Sequence, residues 1–293
     1  MTITEGTIEA NGLTFSYLAA GDEGPLALCL HGFPDSAWTW RHLLPMLADA
    51  GYRAVAPFLR GYAPTEVPAD GLYQSGAVAT DANALHEALG GDGDAVLIGH
   101  DWGALAAYGA AGHAPDRWHR LVTAAVPPPA TVATSFLTYD QLQRSWYMFF
   151  FQSAFADAVV PMDDLVFIDR LWADWSPGFD ASNELAAVKD ALRDPANLTA
   201  ALGYYRATLG DGARSPAYDE VEAAGSSPLP MPVLYLHGRS DGCMGVDAID
   251  DSAAASLPHP ASRIDLVDGV GHFLHLEDPD RINRSILDFL AES

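Results

Sequence analysis

One ten-residue stretch, AVLIGHDWGA at positions 95–104, constrains the fold of this chain more than any other. Four apolar residues of strand type lead into a Gly-x-x-x-Gly pentapeptide, and an alanine-rich run typical of a helix follows to residue 111. The two glycines allow a tight, strained turn in which bulkier side chains would collide with the strand or the helix. The pattern predicts a nucleophile elbow, in which the central residue, Asp101, is lifted clear of a buried sheet.

Aspartate at the centre of this turn changes the chemistry that the elbow supports. The serine of the best-known version attacks carbonyl carbon, whereas on saturated carbon it would leave an unreactive ether. A carboxylate that attacks saturated carbon forms an alkyl ester, which water can hydrolyse to regenerate the enzyme. Asp101 therefore indicates displacement at sp3 carbon, by epoxide opening or by loss of halide. The simpler alternative is that Asp101 only caps the next helix, where aspartate is favoured.

Length and charge narrow the remaining classes of protein. The chain has 293 residues, 49% of them apolar, which suits one large α/β domain or a core with an inserted subdomain. A net charge of −24 argues against nucleic acid or an anionic membrane as a partner. The first ten residues do not resemble a signal peptide, and no apolar run approaches a membrane span. The sequence thus predicts a soluble, cytoplasmic protein, in which the widely separated Cys29 and Cys243 suggest no disulfide framework.

The order of predicted elements indicates an α/β core interrupted by a helical insertion. Before residue 127, strand-like runs occur at 7–10, 14–20, 25–30, 52–57, 95–98 and 121–125, with helices after Ser36 and at 75–89. Aromatic-rich helical stretches then dominate, at 141–156, 162–175, 182–193 and after Asp194–Pro195. Strands return at 233–236 and 263–267, before a closing helix from Asp278 to about residue 290. The predicted division is a core of residues 1–126 and 231–293 around a helical cap at 127–230.

Two late strands run into loops that carry the other residues of a covalent mechanism. The strand at 233–236 leads to Asp241, and the strand at 263–267 leads to His272, which is framed by glycines. The order Asp101, Asp241, His272 is the nucleophile–acid–base order that accompanies this kind of elbow. All three lie just past the carboxyl ends of strands, where open α/β sheets build their sites. Alone, Asp241 is typical of a turn and His272 of a packing residue, but together the three predict a catalytic triad.

Four motifs together resemble the α/β-hydrolase epoxide hydrolases over nearly the whole chain: HGFPD at 31–35, GHDWG at 99–103, GRSD at 238–241 and GHFLHLE at 271–277. The resemblance implies the α/β-hydrolase fold, with a mostly parallel central sheet and an inserted helical cap, and it implies no cofactor and no metal. It also implies backbone N–H donors from Phe33 and Trp102 for the oxyanion of ester hydrolysis. The structural alternative for Phe33 is a rigid turn with a packed ring.

The leaving group separates epoxide hydrolases from haloalkane dehalogenases, which share the elbow. An opening epoxide develops an alkoxide and needs a proton donor, which the epoxide hydrolases supply from two lid tyrosines. The segment WYMFFFQ at 146–152 resembles the first lid motif and offers Tyr147. The segment LGYYR at 202–206 resembles the second and offers Tyr205, with Tyr204 as its rival. The structural alternative is that these tyrosines are core aromatics with satisfied hydroxyls.

Two other functions stay open at this point. In a haloalkane dehalogenase the indole N–H of Trp102 could bind halide, but the asparagine that often supplies a second donor is replaced by Phe33. A non-catalytic ligand receptor is the remote alternative, because hydrolase folds are reused for binding. Such receptors commonly lose a triad member, and this chain keeps all three.

The sequence therefore predicts an epoxide hydrolase that forms a hydroxyalkyl ester on Asp101. Tyr147 and Tyr205 hold the epoxide oxygen, and His272, oriented by Asp241, activates the water that cleaves the ester. The substrate is predicted to be a small apolar or aromatic epoxide, and the protein a monomer or a homodimer. Predicted pocket residues are Phe33, Trp102, Phe150, Phe151 and Phe273, while His31, His100 and His275 are interpreted as structural.

Overall fold

An eight-stranded sheet organises residues 1–249 and 251–292, which the computed structural model describes. Asp250 and Ser293, both in the predicted second core segment, lie outside the described residues. The strands lie in the order β1-β2-β4-β3-β5-β6-β7-β8. Pairing is antiparallel from β1 through β2 to β4 and parallel across the rest of the sheet. The strands are β1 (Thr4–Ala10), β2 (Leu13–Ala20), β3 (Leu26–Leu30), β4 (Arg53–Pro57), β5 (Val96–His100), β6 (Arg120–Ala124), β7 (Val233–Gly238) and β8 (Arg263–Val267).

Burial along the strands follows from their place in the sheet. β3, β5, β6 and β7 are buried at every residue, because central parallel strands are covered on both faces and need apolar side chains throughout. Cys29 is one of these buried residues. The edge strand β1 is largely exposed, and it is joined to β2 by a turn at Asn11–Gly12.

Helices follow most of the strands and fill one long insertion. Before β6 lie α1 (Leu43–Asp49), α2 (Ser75–Ala88) and α3 (Trp102–His113). Between β6 and β7 lie α4 (Pro129–Ser135), α5 (Tyr139–Arg144), α6 (Trp146–Phe150), α7 (Ala154–Val159), α8 (Met162–Trp175), α9 (Leu185–Leu192), α10 (Pro195–Leu209) and α11 (Asp219–Ala224). After β7 lie α12 (Asp251–Ala255), α13 (Leu274–Glu277) and α14 (Pro279–Ala291). None of the described helices is long and apolar enough to cross a membrane.

Two stretches predicted as single helices are divided in the structure. The stretch after Ser36 forms a 3₁₀ turn, which the Ser36 side chain caps, and only then α1. The stretch predicted as one helix at 141–156 is divided among α5, α6 and α7. Ser153 has an extended backbone and caps α7 with its side chain, since serine hydroxyls compete with helical hydrogen bonds. By contrast, α8 and β8 have the predicted bounds.

The insertion covers the carboxyl ends of the central strands. The Trp172 indole N–H, on α8, donates to the carbonyl of Pro34, in the loop after β3, at 2.8 Å. The Trp175 carbonyl accepts the N–H groups of Gly242, after β7, at 3.0 Å and of His272, after β8, at 3.1 Å. These bonds hold the loops that carry the predicted triad against one helix end of the insertion.

Candidate active site

The turn between β5 and α3 consists of Asp101 alone, and its backbone is strained. Asp101 has φ 54° and ψ −118°, which is uncommon for a residue with a side chain. Close packing makes the turn possible, because a Cβ on Gly103 would lie only 2.3 Å from the carbonyl oxygen of Leu30. The strain presents the Asp101 carboxylate at the carboxyl edge of the sheet, where β3 and β5 pair.

Asp241 and His272 join Asp101 in a buried triad. The Nδ1–H of His272 donates to Asp241 Oδ2 at 3.0 Å, which directs Nε2 toward Asp101 Oδ2, 3.7 Å away. The other Asp241 oxygen, Oδ1, accepts the backbone N–H groups of Cys243 at 2.7 Å and Met244 at 2.9 Å. His272 Nε2 has no hydrogen-bond partner within the part of the chain that the structure describes. The imidazole is therefore fixed in the tautomer that offers a lone pair on the side of the nucleophile.

Burial and neighbouring charges set the pKa values of Asp101 and His272. Burial raises the pKa of Asp101 to about 6, against the lowering effects of His272 and of the Phe33 and Trp102 amides. For His272, burial alone would lower the pKa, but the charge and hydrogen bond of Asp241 outweigh it and the net pKa is raised. Above pH 7, Asp101 is thus ionised despite its burial, as a nucleophile must be.

A backbone donor lies directly on the nucleophile. The Phe33 N–H donates to Asp101 Oδ1 at 2.7 Å. The approach depends on Gly32, since a Cβ there would lie 2.3 Å from the same Oδ1. The Phe33 ring packs edge-on to Tyr205 and Phe151, with ring centroids 5.1 and 5.6 Å apart. Phe33 therefore combines a packed ring with a main-chain donor to Asp101, and its role at an oxyanion stays a prediction.

Two buried tyrosines from the insertion meet beside Asp101. The Tyr147 and Tyr205 rings are in edge-to-face contact at 5.6 Å. The Tyr147 hydroxyl lies 3.4 Å from Cys243 Sγ, whereas the Tyr205 hydroxyl has no hydrogen-bond partner among the described residues. Burial raises the pKa of both tyrosines well above the usual value, so both are neutral donors at physiological pH. Tyr204 instead donates to the carbonyl of Arg60 at 2.9 Å.

A cavity of about 410 Å³ brings these groups together. Asp101, Trp102, Tyr147, Tyr205 and Cys243 line it, and Tyr204 does not. Its volume lies in the range of small-molecule sites, which are mostly apolar with a few convergent polar groups. The arrangement can attack a bound electrophile with a carboxylate, protonate the leaving oxygen and activate water.

Comparison with known proteins decides the family. Residues 25–279 match the model of the alpha/beta hydrolase fold. The chain belongs to this family. The AB hydrolase superfamily protein YfhM of Bacillus subtilis is 29% identical over 97% of the chain and 96% of that protein. Epoxide hydrolase A of Mycobacterium tuberculosis is 29% identical over 98% of the chain and 97% of that protein. The crystal structure of epoxide hydrolase A from Mycobacterium thermoresistibile superposes with a TM-score of 0.81 at 28% identity, covering 99% of this chain and 98% of that one.

The predicted fold and the predicted resemblance to α/β-hydrolase epoxide hydrolases are thus confirmed. Not all of the predicted pocket residues line the cavity of the hydrolase. Trp102 lines the cavity, whereas Phe33 and Phe151 pack behind the two tyrosines. Phe150 stacks on Phe167 at 5.6 Å and Phe273 on Trp172 at 3.5 Å, so neither ring is part of the cavity wall.

The cavity residues that the sequence analysis did not assign to the pocket include Cys243, Leu105 and Met148. Leu105 could have been found, because it lies three residues after Trp102 on the same face of α3. Met148 is next to Tyr147 within a motif already identified. Cys243 has no such signal, since its position depends on the path of the loop that holds Asp241.

The three histidines interpreted as structural all make packing contacts in the hydrolase. His31 Nε2 accepts the N–H of Leu59 at 3.0 Å, and His100 Nε2–H donates to the His272 carbonyl at 2.9 Å. Burial lowers the pKa of His31 to about 4, of His275 to about 3 and of His100 well below its usual value, so all three are neutral. Asp35, His100 and His275 each bring one possible metal-ligating atom within 4.8 Å of the others. The triad chemistry uses none of these three.

Proposed function

We propose that this hydrolase opens epoxides to vicinal diols through a hydroxyalkyl ester on Asp101. The observation that carries the proposal is the meeting of two neutral, buried tyrosine hydroxyls with the nucleophile in one cavity. An epoxide oxygen needs a proton as its ring opens, which these hydroxyls can supply. Relatives named epoxide hydrolases, aligned over almost the whole chain, support the same reaction.

In the first half-reaction, Asp101 Oδ2 attacks a ring carbon while Oδ1 stays bound to the Phe33 N–H. The carbon–oxygen bond of the ring breaks, and its electron pair goes to the epoxide oxygen. Tyr147 and Tyr205 hold that oxygen, and one of them transfers its proton. The products are the ester and a tyrosinate stabilised by the second hydroxyl.

In the second half-reaction, His272 takes a proton from water, which attacks the ester carbonyl carbon of Asp101. Negative charge develops on Oδ1, where the Phe33 and Trp102 amides are each worth about 3–4 kcal/mol, by analogy with other oxyanion holes. The ester bond breaks, and His272 returns its proton to the leaving diol oxygen. The new carboxylic acid protonates the tyrosinate, so the site ends as it began.

A single turnover in oxygen-18 water tests the covalent route. With enzyme in excess, the new diol oxygen should come from Asp101 and be unlabelled, while the peptide containing Asp101 gains the label. Repeated turnovers should then release labelled diol, which serves as the internal control. A diol fully labelled in the first turnover would mean direct attack by water and would contradict the proposed ester.

Lowering the pH should slow ester hydrolysis before it slows alkylation. His272 must be neutral to act as a base, and its pKa is raised above the ordinary histidine value, so ester hydrolysis should fall first as the pH drops. Alkylation needs ionised Asp101 and should fall only as the pH passes through about 6. Rapid-quench experiments between pH 8 and pH 5 should therefore find the ester fraction rising before all turnover ceases. An ester fraction that falls together with turnover would contradict the assignment of His272 as the base of ester hydrolysis.

Dehalogenation is the second candidate, because the Trp102 ring lines the cavity beside Asp101 and its indole N–H is a donor suited to halide. Halide release from alkyl bromides, measured beside diol formation, separates the two functions.

We further propose domain boundaries near 126/127 and 230/231, since β6 ends at Ala124 and β7 begins at Val233. A cytoplasmic location and a monomeric or homodimeric state stay predictions from the sequence.

A further inference from the structure

We infer that the preferred substrates are terminal epoxides with one long, narrow apolar substituent, and that epoxides substituted on both ring carbons are poor substrates. The inference rests on the proposed epoxide hydrolysis and adds to it the shape of the substrate. It follows from a cavity that is closed at the nucleophile, extends along α3 and reaches solvent at exposed lining residues.

The end of the cavity at Asp101 is closed by packed aromatic rings. Tyr147 and Tyr205 are only 3% and 2% exposed. Phe33 and Phe151 pack against Tyr205 with centroids 5.1 and 5.2 Å away, and Trp175 packs against Tyr147 at 4.9 Å. Close-packed interiors resist added volume. A substituent on the far ring carbon would therefore have to displace this cluster.

From the nucleophile the cavity follows one face of α3. Trp102, Leu105 and Gly109 line it, and spacings of three and seven residues place them along the same side of a helix. At a rise of 1.5 Å per residue, this face is about 10 Å long. The opposite wall is apolar and consists of Val126, Pro129, Val132, Phe136 and Met148. A channel of this kind favours an extended hydrocarbon tail over a compact ring system.

The other end of the cavity reaches solvent. Ala133, Thr208, Leu209 and Ser226 belong to its lining and are exposed. Glu222 also lies at this rim, where it pairs with Arg214 at 2.9 Å, so the rim is polar without an unpaired carboxylate. A tail longer than the α3 face would emerge here into water and gain little more from burial.

A substrate series tests the inference directly. With 1,2-epoxyalkanes of increasing length, kcat/KM should rise about fourfold for each added CH₂, from the free energy of burying it. The rise should level off at roughly eight tail carbons, when the tail has passed the α3 face of about 10 Å. The trans-2,3-epoxide of equal carbon number should react at least tenfold more slowly than its terminal isomer. A flat length profile, or equal rates for the two isomers, would overturn the inference.

Two cavity variants and one control test which residues line the channel. Leu105→Trp narrows it midway and should lower the ratio of kcat/KM for long over short terminal epoxides at least tenfold. Ala133→Trp, at the exposed rim, should lower the same ratio for tails that reach the rim and carries little risk for folding. Leu137→Trp is the matched control, because Leu137 is 83% exposed and outside the cavity lining, and it should leave the profile unchanged. If both cavity variants keep the wild-type profile, the assigned channel is wrong.

The same data separate this inference from the proposed function. If no epoxide, including the shortest terminal one, yields diol, the proposed function itself fails. If epoxides of every shape are opened at similar rates, the function stands and only the inferred substrate shape fails.

Discussion

Replacing His272 by glutamine should leave a protein that reacts once with an epoxide and then stops at the ester. Attack by Asp101 does not need the imidazole as a base, so alkylation should stay within about tenfold of wild type. Hydrolysis loses its general base, which costs on the order of 10⁴-fold. Intact-protein mass spectrometry should show a gain equal to one epoxide, and the adduct should map to the peptide containing Asp101.

Asp241→Asn should slow the same step, ester hydrolysis, by changing the tautomer of His272. In the structure the Asp241 carboxylate accepts the Nδ1–H of His272, whereas an asparagine amide in its place can donate to Nδ1. The proton would then sit on Nε2, and the lone pair needed by water would face away from the ester. We expect the same accumulation of ester with a slower hydrolysis. A folded His272→Gln protein that neither turns over nor gains mass would contradict the role given to His272.

The second large effect is expected from Tyr147→Phe combined with Tyr205→Phe. Each single change should slow alkylation by an epoxide about 10²-fold, because the other hydroxyl still polarises the oxygen. The double variant should be nearly inactive toward epoxides. Folding should change little, since among the described residues the Tyr147 hydroxyl has only the weak partner Cys243 Sγ and the Tyr205 hydroxyl has no hydrogen-bond partner. Stopped-flow tryptophan fluorescence and rapid quench measure the alkylation step.

The adjacent tyrosine provides the matched control. Tyr204→Phe loses a hydrogen bond of 2.9 Å to the Arg60 carbonyl, which should lower the free energy of unfolding by about 1 kcal/mol. Alkylation by epoxide should stay at the wild-type rate, because Tyr204 is outside the cavity lining. If Tyr204→Phe slows alkylation and Tyr205→Phe does not, the two roles are exchanged. Fast halide release that none of the three tyrosine substitutions changes, without diol from any epoxide, would instead favour dehalogenation.

The residues that were easiest to predict are those whose roles depend on local sequence. Asp101, Asp241 and His272 each follow a strand-like apolar run, so their position at one edge of a parallel sheet follows from the fold class alone. The bounds of α8 and β8 were also predicted, but nothing in the sequence indicated the left-handed backbone at Asp163, Asp164 and Leu165 inside α8, where φ lies between 51° and 61°.

Side-chain direction in the insertion was not predictable, because tertiary packing sets it. Tyr204 and Tyr205 point about 100° apart on α10, and only the contact with the Arg60 carbonyl shows which of them faces away from Asp101. The same holds for the aromatic run after Ser145, where the break between α6 and α7 turns Phe150 toward Phe167 and Phe151 toward Tyr205. A sequence motif can name such residues without telling which of them line a cavity.

The place where the insertion leaves the sheet bears on how the reaction of such a chain can evolve. β6 and β7 are parallel neighbours, with Leu121 opposite Val233 and Ala124 opposite Leu236, so the insertion leaves the sheet at its carboxyl edge and returns at its amino edge. Because the entropy of closing a loop grows only slowly with its length, the inserted segment can be lengthened or exchanged at little cost to the sheet. The nucleophile, its base and its acid are encoded outside that segment, and the two proton donors inside it. Exchange of this one continuous segment could therefore keep the covalent step intact while replacing the tyrosines that protonate the leaving group.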